Sequence, residues 1–215
     1  MISWSGGKDS LAALAAARDA FDIVAALTMF DEAGERSRSH GLRPALVAAQ
    51  TARLGLRSMT ARCGWSTYDA AFTQALRGAA ADGITHAVFG DLVYPEHKAW
   101  AEARCGEAGL TAVEPLFGTS TDVLFDRFVA SGATALMVTV REPWLDESWL
   151  GRPLDAAMKS TFAERGIDPC GERGEYHTAV VDSPLFSSAI HVTCGTRVRR
   201  GECVALDLIP DAAGC

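Results

Sequence analysis

The chain has 215 residues, of which 48% are hydrophobic and 22% charged, and its formal net charge is −7. This length predicts one sizeable core or a main domain with a smaller element, and the composition excludes a disordered chain. Binding of tRNA or duplex through phosphates needs a strongly basic face, so we expect no nucleic-acid partner, and we interpret Arg197, Arg199 and Arg200 as a solvated strand end.

The first two thirds of the chain alternate strand-length apolar runs with helix-length segments. This alternation is typical of β-α-β units in a parallel sheet. In chain order the sequence predicts a short strand at 1–4, a helix from about 9 to 20, a strand at 22–30, a helix at 41–54, a strand at 56–61, a helix at 66–83, a strand at 85–91 and a helix at 96–108. We therefore expect an α/β fold with a doubly wound parallel sheet.

The regular alternation of strands and helices ends after residues 111–118. One more helix and an apolar strand at 134–140 precede a stretch rich in Pro, Trp, Gly and acidic residues. From Tyr176 onward, strand-like runs separated by turn residues indicate a small antiparallel element, including a run at 187–194. We expect an α/β domain over 1–118 and a smaller C-terminal α+β element over 119–215.

Cysteine spacing and hydropathy indicate the cellular compartment of the protein. The six cysteines include no Cys-x-x-Cys pair, so neither a zinc ribbon nor an iron-sulfur motif is indicated, and reduced thiols are expected. The N-terminus lacks the pattern of a signal peptide, and no apolar run reaches the roughly 20 residues of a membrane helix. We expect a cytoplasmic protein that does not bind membranes.

The stretch Ser5–Ser10, "SGGKDS", directly after the first predicted strand, is called the glycine loop below. Two adjacent glycines let backbone amides turn toward a ligand, and a helix that starts behind them adds unpaired N–H groups, an arrangement that cradles phosphate. Lys8 can neutralise the phosphate, and Asp9 can take a magnesium ion that rides on a nucleotide. Spacing alone also permits a plain glycine turn with Asp9 or Ser10 as a helix cap.

The six residues of the glycine loop resemble the PP-loop of the ATP pyrophosphatases. The resemblance implies a fold of the HUP type, similar to the adenine nucleotide alpha hydrolases. It also implies that the β- and γ-phosphates of ATP lie in the loop while an acceptor oxygen attacks the α-phosphorus, which yields AMP and pyrophosphate. The ATP-binding residues implied are Ser5, Gly6, Gly7, Lys8, Asp9 and Ser10.

A second set of motifs narrows the resemblance. They are "HGL" (40–42), "FGDLVYPEHKAW" (89–100), "CGEAGL" (105–110), "EPLFG" (114–118) and "GERGEYHTAVVDSPLF" (171–186). In this order they resemble the diphthine-ammonia ligase family, or DUF71 ATP-binding group, which implies an ATP-dependent ligase. The chain has Arg173 and His177 where the archaeal and eukaryotic pattern has glycine and glutamate. That form resembles bacterial relatives, and since bacteria lack diphthamide, a bacterial chain of this type implies another acceptor.

Two further groups of residues are candidates for the site. Ligands of open parallel sheets bind at the carboxyl ends of strands, so Gly90 and Asp91 are expected beside the glycine loop. Asp91 is a candidate magnesium ligand with Asp9, or else a helix cap. His97 on the next helix can meet a phosphate or lie in solvent, and His40 can help to bind ATP or merely cap its helix.

The turn at 171–178 carries the second group. Two carboxylates and an imidazole lie close together there, so an acid can hold an amine while a histidine of pKa about 6.5 takes its proton. From spacing alone, a hairpin turn with its charges in water is the alternative. The family resemblance favours the functional interpretation of Glu172, Glu175, Tyr176, His177 and Thr178.

The leading hypothesis is an AMP-forming ligase that uses ATP and Mg²⁺, a carboxylate acceptor on a small molecule or a protein, and ammonia or an amine, in a possible homodimer. Its catalytic residues are predicted to be Lys8, Asp9, Asp91, Glu175 and His177, with His40 and Gly90 added to the ATP site and with His97, Glu172, Tyr176 and Thr178 binding the acceptor. A PP-loop tRNA-modifying enzyme and a regulatory module that binds ATP without catalysis are the alternatives.

Overall fold

A computed structural model describes residues 1–211. Its first sheet has five parallel strands in the order β3-β2-β1-β4-β5. The strands are β1 Ile2–Ser3, β2 Ala25–Phe30, β3 Arg57–Arg62, β4 His86–Val88 and β5 Thr111–Val113. Every residue of β2 is buried, because this strand lies between two neighbours and is covered on both faces.

The helices alternate with these strands. They are α1 Lys8–Ala17, α2 Pro44–Arg53, α3 Tyr68–Ala81, α4 Pro95–Ala108, α5 Thr121–Ala130 and, later in the chain, α6 Met158–Glu164. Pro44 and Pro95 stand in the first turns of α2 and α4, where the missing N–H costs no hydrogen bond. Helix α4 ends at Gly109, whose φ of +76° lies in the left-handed region that glycine adopts without a steric penalty.

The order of the strands confirms the predicted doubly wound α/β fold. The chain moves outward from β1 through β2 to β3, then returns to place β4 on the other side of β1. The carboxyl ends of β1 and β4 therefore border the crevice where the strand order reverses, and ligands of such sheets bind there. The glycine loop follows β1 and Gly90 follows β4, so both lie at this crevice.

The predicted antiparallel element is a second sheet of four strands in the order β7-β6-β9-β8. Its strands are β6 Thr134–Arg141, β7 Tyr176–Asp182, β8 Val192–Arg200 and β9 Cys203–Pro210. The strand expected at 187–194 begins only at Val192, so its first half is not part of the sheet. Between β6 and β7 lie a short 3₁₀ turn, Glu147–Trp149, and α6.

One hydrophobic cluster joins the two sheets. Ile2 and Trp4 at the start of the chain belong to the same buried cluster as Val140 and Val180 of the second sheet. A second cluster fills the other face of the first sheet, beneath α3 and α4, and contains Phe72. The division into 1–118 and 119–215 stays a prediction.

The sequence predicts reduced cysteines and no membrane helix, and the structure describes both the cysteines and the helices. Within residues 1–211, Cys63, Cys105, Cys170, Cys194 and Cys203 are free thiols, and Cys215 lies outside the described residues. None of the helices in that range is long and apolar enough to cross a membrane.

Candidate functional site

A cavity of about 710 Å³ opens at the carboxyl ends of β1 and β4. One side of it is polar and is lined by Ser5, Lys8, Asp9, Ser10, His40, Glu172, His177 and Thr178. The other side is aromatic and is lined by Trp65, Tyr68, Phe72, Phe89, Tyr94 and Trp100, with Gly90, Asp91 and His97 also on its wall. The fold thus joins the glycine loop to the 171–178 turn of the second half.

The glycine loop leads into α1 at a tight bend. Gly6 has a φ of +82°, which a residue with a side chain rarely adopts, and its carbonyl accepts a hydrogen bond from Val180 N at 2.9 Å. Gly7 is the residue before α1 and provides no side-chain cap; the Lys8 amide donates to Thr178 Oγ1, which leaves the amides of Asp9 and Ser10 in the first helical turn available to an anion. Within the loop, Gly7 N donates to Ser5 Oγ at 3.3 Å and Ser10 Oγ donates to Gly7 O at 3.0 Å.

Lys8 is buried at the base of the cavity with 4% of its surface exposed. Its ammonium lies 2.7 Å from Asp9 Oδ2 and also donates to the Cys170 carbonyl. Burial opposes the charged form, yet the neighbouring Asp9 carboxylate leaves the pKa of Lys8 above its ordinary value. The side chain is therefore a fixed positive charge at the start of α1.

Two histidines lie next to the glycine loop. The rings of His40 and His177 stack with their centroids 4.8 Å apart, and the His40 Nδ1–H donates to the Thr178 carbonyl at 2.7 Å. Burial lowers the pKa of His40 to about 4. Burial, His40 and Lys8 lower the pKa of His177 to about 3. Both rings are neutral at pH 7, so the expected His177 pKa of about 6.5 is not met.

Two carboxyl groups of the cavity, those of Glu172 and Asp91, have raised pKa values, in contrast to the lowered values of the two histidines. Burial and the charge of Asp9 raise the pKa of Glu172 to about 7. Burial also raises the pKa of Asp91, although His97 Nδ1 lies 3.6 Å from its Oδ1 and favours the ionised form. The cavity therefore holds a carboxyl group that exchanges a proton near neutral pH, which is the range suited to general acid–base work.

The carboxylates of Asp9 and Asp91 also bear on the magnesium expected from the sequence. Both line the cavity, and their charges interact, since Asp9 contributes to the raised pKa of Asp91. Within residues 1–211 no group of three or more His, Cys, Asp or Glu residues has the arrangement of a metal site. Two carboxylates nevertheless fit Mg²⁺, which is bound through one or two carboxylates together with nucleotide phosphates.

The structure brings most of the predicted site residues together. Of the predicted set, Gly6, Gly7 and Glu175 are not on the cavity wall. The two glycines shape the loop, whereas Glu175 is fully buried and faces the protein. Its carboxylate accepts hydrogen bonds from Asp168 N at 2.8 Å and from Arg173 N at 2.9 Å, so it organises the turn.

Tyr176 and Thr178 line the cavity, but their hydroxyls are hydrogen-bonded to other groups of the protein. Tyr176 donates to the Pro169 carbonyl, and Thr178 Oγ1 accepts from Lys8 N at 3.1 Å. What Tyr176 presents to the site is its ring, with the Lys8 ammonium 5.4 Å from the ring centroid. Gly90 lies against α1, because a Cβ built there would be 3.0 Å from the Asp9 carbonyl.

Both halves of the chain match families of known proteins. Residues 1–112 match the diphthamide synthase N-terminal domain, and residues 120–204 match the diphthamide synthase C-terminal domain. The chain belongs to the diphthamide synthase family. This confirms the family indicated by the motifs.

Two curated diphthine–ammonia ligases are similar to this diphthamide synthase family member. The protein from Schizosaccharomyces pombe is 33% identical over 93 residues, which are 41% of this chain and 15% of that protein. The protein from Bos taurus is 30% identical over 92 residues, 41% of this chain and 34% of that protein. The matched segment thus spans about a third or less of each relative's length.

A solved structure is also similar in outline. It is a protein described as a predicted subunit of a tRNA methyltransferase from Methanocaldococcus jannaschii, 16% identical, with a TM-score of 0.43 over 85% of this chain and 95% of that one. At this similarity the likeness carries no argument about fold or function.

Two features of this cavity are absent from the sequence expectations. Gln50 is fully buried in α2, and its Nε2 donates to Gly6 O at 2.9 Å and to Val180 O at 2.8 Å. The aromatic side of the cavity is the second feature. Its only local signal is the spacing of Tyr68 and Phe72, which places both rings on one face of α3.

Proposed function

We propose that this diphthamide synthase family member is an ATP-dependent ligase that forms AMP. The observation that carries the proposal is the shared cavity, in which the glycine loop and Lys8 face the proton-exchanging carboxyl of Glu172. The activity after which the two relatives are named, diphthine–ammonia ligase, supports the same class of reaction.

The proposed reaction has two steps. A carboxylate oxygen of the acceptor attacks the α-phosphorus of ATP, the bond between the α-phosphorus and the bridging oxygen breaks, and its electron pair leaves with pyrophosphate. The nitrogen of ammonia or an amine then attacks the acyl carbon, the bond to the AMP oxygen breaks, and the nitrogen loses a proton. The products are the amide, AMP and pyrophosphate.

The proposed role of the glycine loop is to bind the pyrophosphate group that leaves in the first step. The amides of Asp9 and Ser10 in the first turn of α1 and the Lys8 ammonium offer hydrogen bonds and positive charge to the β- and γ-phosphates. Because these groups are held before the substrate arrives, they stabilise the developing charge without reorganising. Asp9 and Asp91 would hold Mg²⁺, which when bound neutralises part of the phosphate charge.

The proton of the attacking nitrogen needs an acceptor. We assign this role to Glu172 in place of Glu175 and His177. Glu172 lines the cavity and has a pKa raised to about 7 by burial and nearby carboxylates. Glu175 is directed into the protein, and the low pKa of about 3 makes His177 a weak base.

The aromatic side of the cavity suits the flat or apolar parts of the ligands. Tyr68 lies 5.9 Å from Phe72 and from Trp100, measured between ring centroids. Rings of this kind bind by stacking and exclude water, which protects an acyl-adenylate from hydrolysis. The acceptor is proposed to be a carboxylate other than diphthine where the organism lacks diphthamide.

The proposal is tested with α-labelled ATP, MgCl₂, ammonium chloride and the small-molecule fraction of the source cells. We expect labelled AMP from the native protein and a loss of about 100-fold or more in Lys8→Met. Lys159→Met is the matched control, because Lys159 pairs with Asp122 and Asp126 on the surface and should leave AMP formation unchanged. ADP as the product would overturn the proposal, and ATP binding without any turnover would favour a regulatory module.

A further inference from the structure

The loop between β2 and α2, residues 31–43, carries His40 to the cavity wall. Two contacts set the position of the imidazole. Its Nδ1 donates to the Thr178 carbonyl at 2.7 Å, and the same edge of the ring lies against Gly7, where a built Cβ would come within 2.2 Å of His40 Cε1. Movement of this loop would therefore change the space beside the glycine loop.

The same loop is bound to the second sheet by one carboxylate. Asp207 on β9 accepts from Arg36 Nη1 at 2.5 Å, and from Arg43 Nε at 2.8 Å and 3.0 Å through its two oxygens. A further bond from Arg43 Nη2 makes that pair bidentate. Because Arg36 precedes His40 and Arg43 follows it, Asp207 fixes the chain on both sides of the imidazole.

The surroundings of Asp207 make this a strong attachment. Its side chain is 5% exposed, and Gly195 of β8 packs so closely that a Cβ there would lie 3.2 Å from Asp207 Oδ2. The hydrogen bonds from Arg43 and the charge of Arg36 lower the pKa of Asp207 to about 2, so the carboxylate stays ionised. Bidentate arginine–carboxylate pairs are among the stronger and more directional hydrogen bonds of proteins.

We propose that Asp207 is a positioning residue, which acts through Arg36 and Arg43 to hold His40 against the glycine loop. Asp207 lies beyond residue 204, where the match to the diphthamide synthase C-terminal domain ends. The consequence for ATP rests on the proposed function, whereas the contact between His40 and Gly7 can be measured without a nucleotide.

The first test measures that contact by NMR in the nucleotide-free protein. The native protein should show a nuclear Overhauser effect between His40 Hε1 and the α-protons of Gly7. Asp207→Asn should lose it, and Asp207→Glu should retain it in part. Asp82→Asn is the matched control, because it breaks an exposed pair with Arg57 far from the cavity. A native-strength signal in folded Asp207→Asn overturns the proposal.

A milder variant covers the case in which Asp207→Asn does not fold. Arg43→Gln removes the bidentate pair with Asp207 but keeps the ion pair between Arg36 and Asp207. The Arg43 side chain is 41% exposed, so its loss opens no buried gap. The signal between His40 and Gly7 should weaken in this variant. Its persistence at native strength would also overturn the proposal.

The second test follows ATP affinity by the fluorescence of the tryptophans in the cavity. Asp207→Asn and His40→Ala should each weaken binding about tenfold. The double variant should bind no more weakly than His40→Ala, because the two residues act in series. Additive losses would show that Asp207 does not act through His40. A native protein without ATP binding would reject the proposed function, while the NMR measurement would still decide the role of Asp207.

Discussion

Thr178 Oγ1 accepts a hydrogen bond of 3.1 Å from the backbone nitrogen of Lys8, although 170 positions separate the two residues. Two positions further along β7, Val180 N donates to Gly6 O at 2.9 Å. Strand β7 of the second sheet thus holds both ends of the glycine-loop bend. The phosphate-binding conformation proposed for this loop therefore depends on residues of both halves of the chain.

Replacing Thr178 by valine should loosen that bend. Valine has the same shape but leaves the buried N–H of Lys8 without an acceptor, which costs about 1–3 kcal/mol. Urea denaturation and hydrogen exchange of the Lys8 amide measure the effect. Thr178→Ser keeps the hydroxyl and serves as the control. Equal stability and equal Lys8 protection in the two variants would contradict this role of Thr178.

Gln50→Leu should destabilise the protein by about 2 kcal/mol or more. The variant removes the Gln50 Nε2 bonds to Gly6 O and Val180 O, and it removes the acceptor of the Trp4 indole N–H, whose nitrogen lies 3.0 Å from Gln50 Oε1. Gln74→Leu on the exposed face of α3 is the control, with an expected change within about 0.5 kcal/mol. The interpretation fails if the two variants unfold at the same urea concentration.

Gly7→Ala and Gly106→Ala should change stability in opposite directions. A Cβ on Gly7 would come within 2.2 Å of His40 Cε1 and 3.1 Å of the Thr178 carbonyl, so His40 must move and ATP affinity should fall. Gly106 lies within α4 with nothing near its Cβ position, so alanine there should stabilise the protein by about 0.5–1 kcal/mol. Thermal unfolding measures the stabilities and calorimetric titration measures ATP affinity. A Gly7→Ala protein with native affinity would exclude a tight fit between His40 and the loop.

Glu172→Gln should stabilise the protein more at high pH than at low pH. Burial and Asp9 raise the folded-state pKa of Glu172 to about 7, above the ordinary value of about 4.3, so ionising this group costs free energy in the folded state. The folded protein binds more protons, and the free energy of unfolding attributable to Glu172 falls as pH rises from about 4.3 to about 7. Denaturation at pH 5 and pH 8 should show a larger gain for the variant at pH 8. The same gain at both values would show that Glu172 titrates normally.

Local sequence patterns were sufficient to predict where most helices and strands of the fold lie. The helix expected from about 9 to 20 is Lys8–Ala17, and the strand expected at 22–30 is Ala25–Phe30, since apolar spacing and glycine turns depend on near neighbours. The strand expected at 85–91 is only His86–Val88, because these three residues alone pair with β5 and only Val88 pairs with β1. Family motifs also indicated the glycine loop, Asp91 and the 171–178 turn as one site.

By itself the sequence determined the order of strands and helices, the glycine loop and the family, because each is encoded in residues close together along the chain. Only the tertiary structure decided that Glu172 faces the cavity while Glu175 faces the protein, and that burial keeps His177 neutral. It alone brought Gln50 to the glycine loop and paired Asp207 with Arg36 and Arg43, which lie before and after His40 in the sequence. Burial, pKa and hydrogen bonds over more than 40 positions depend on packing between distant segments, which no local pattern records.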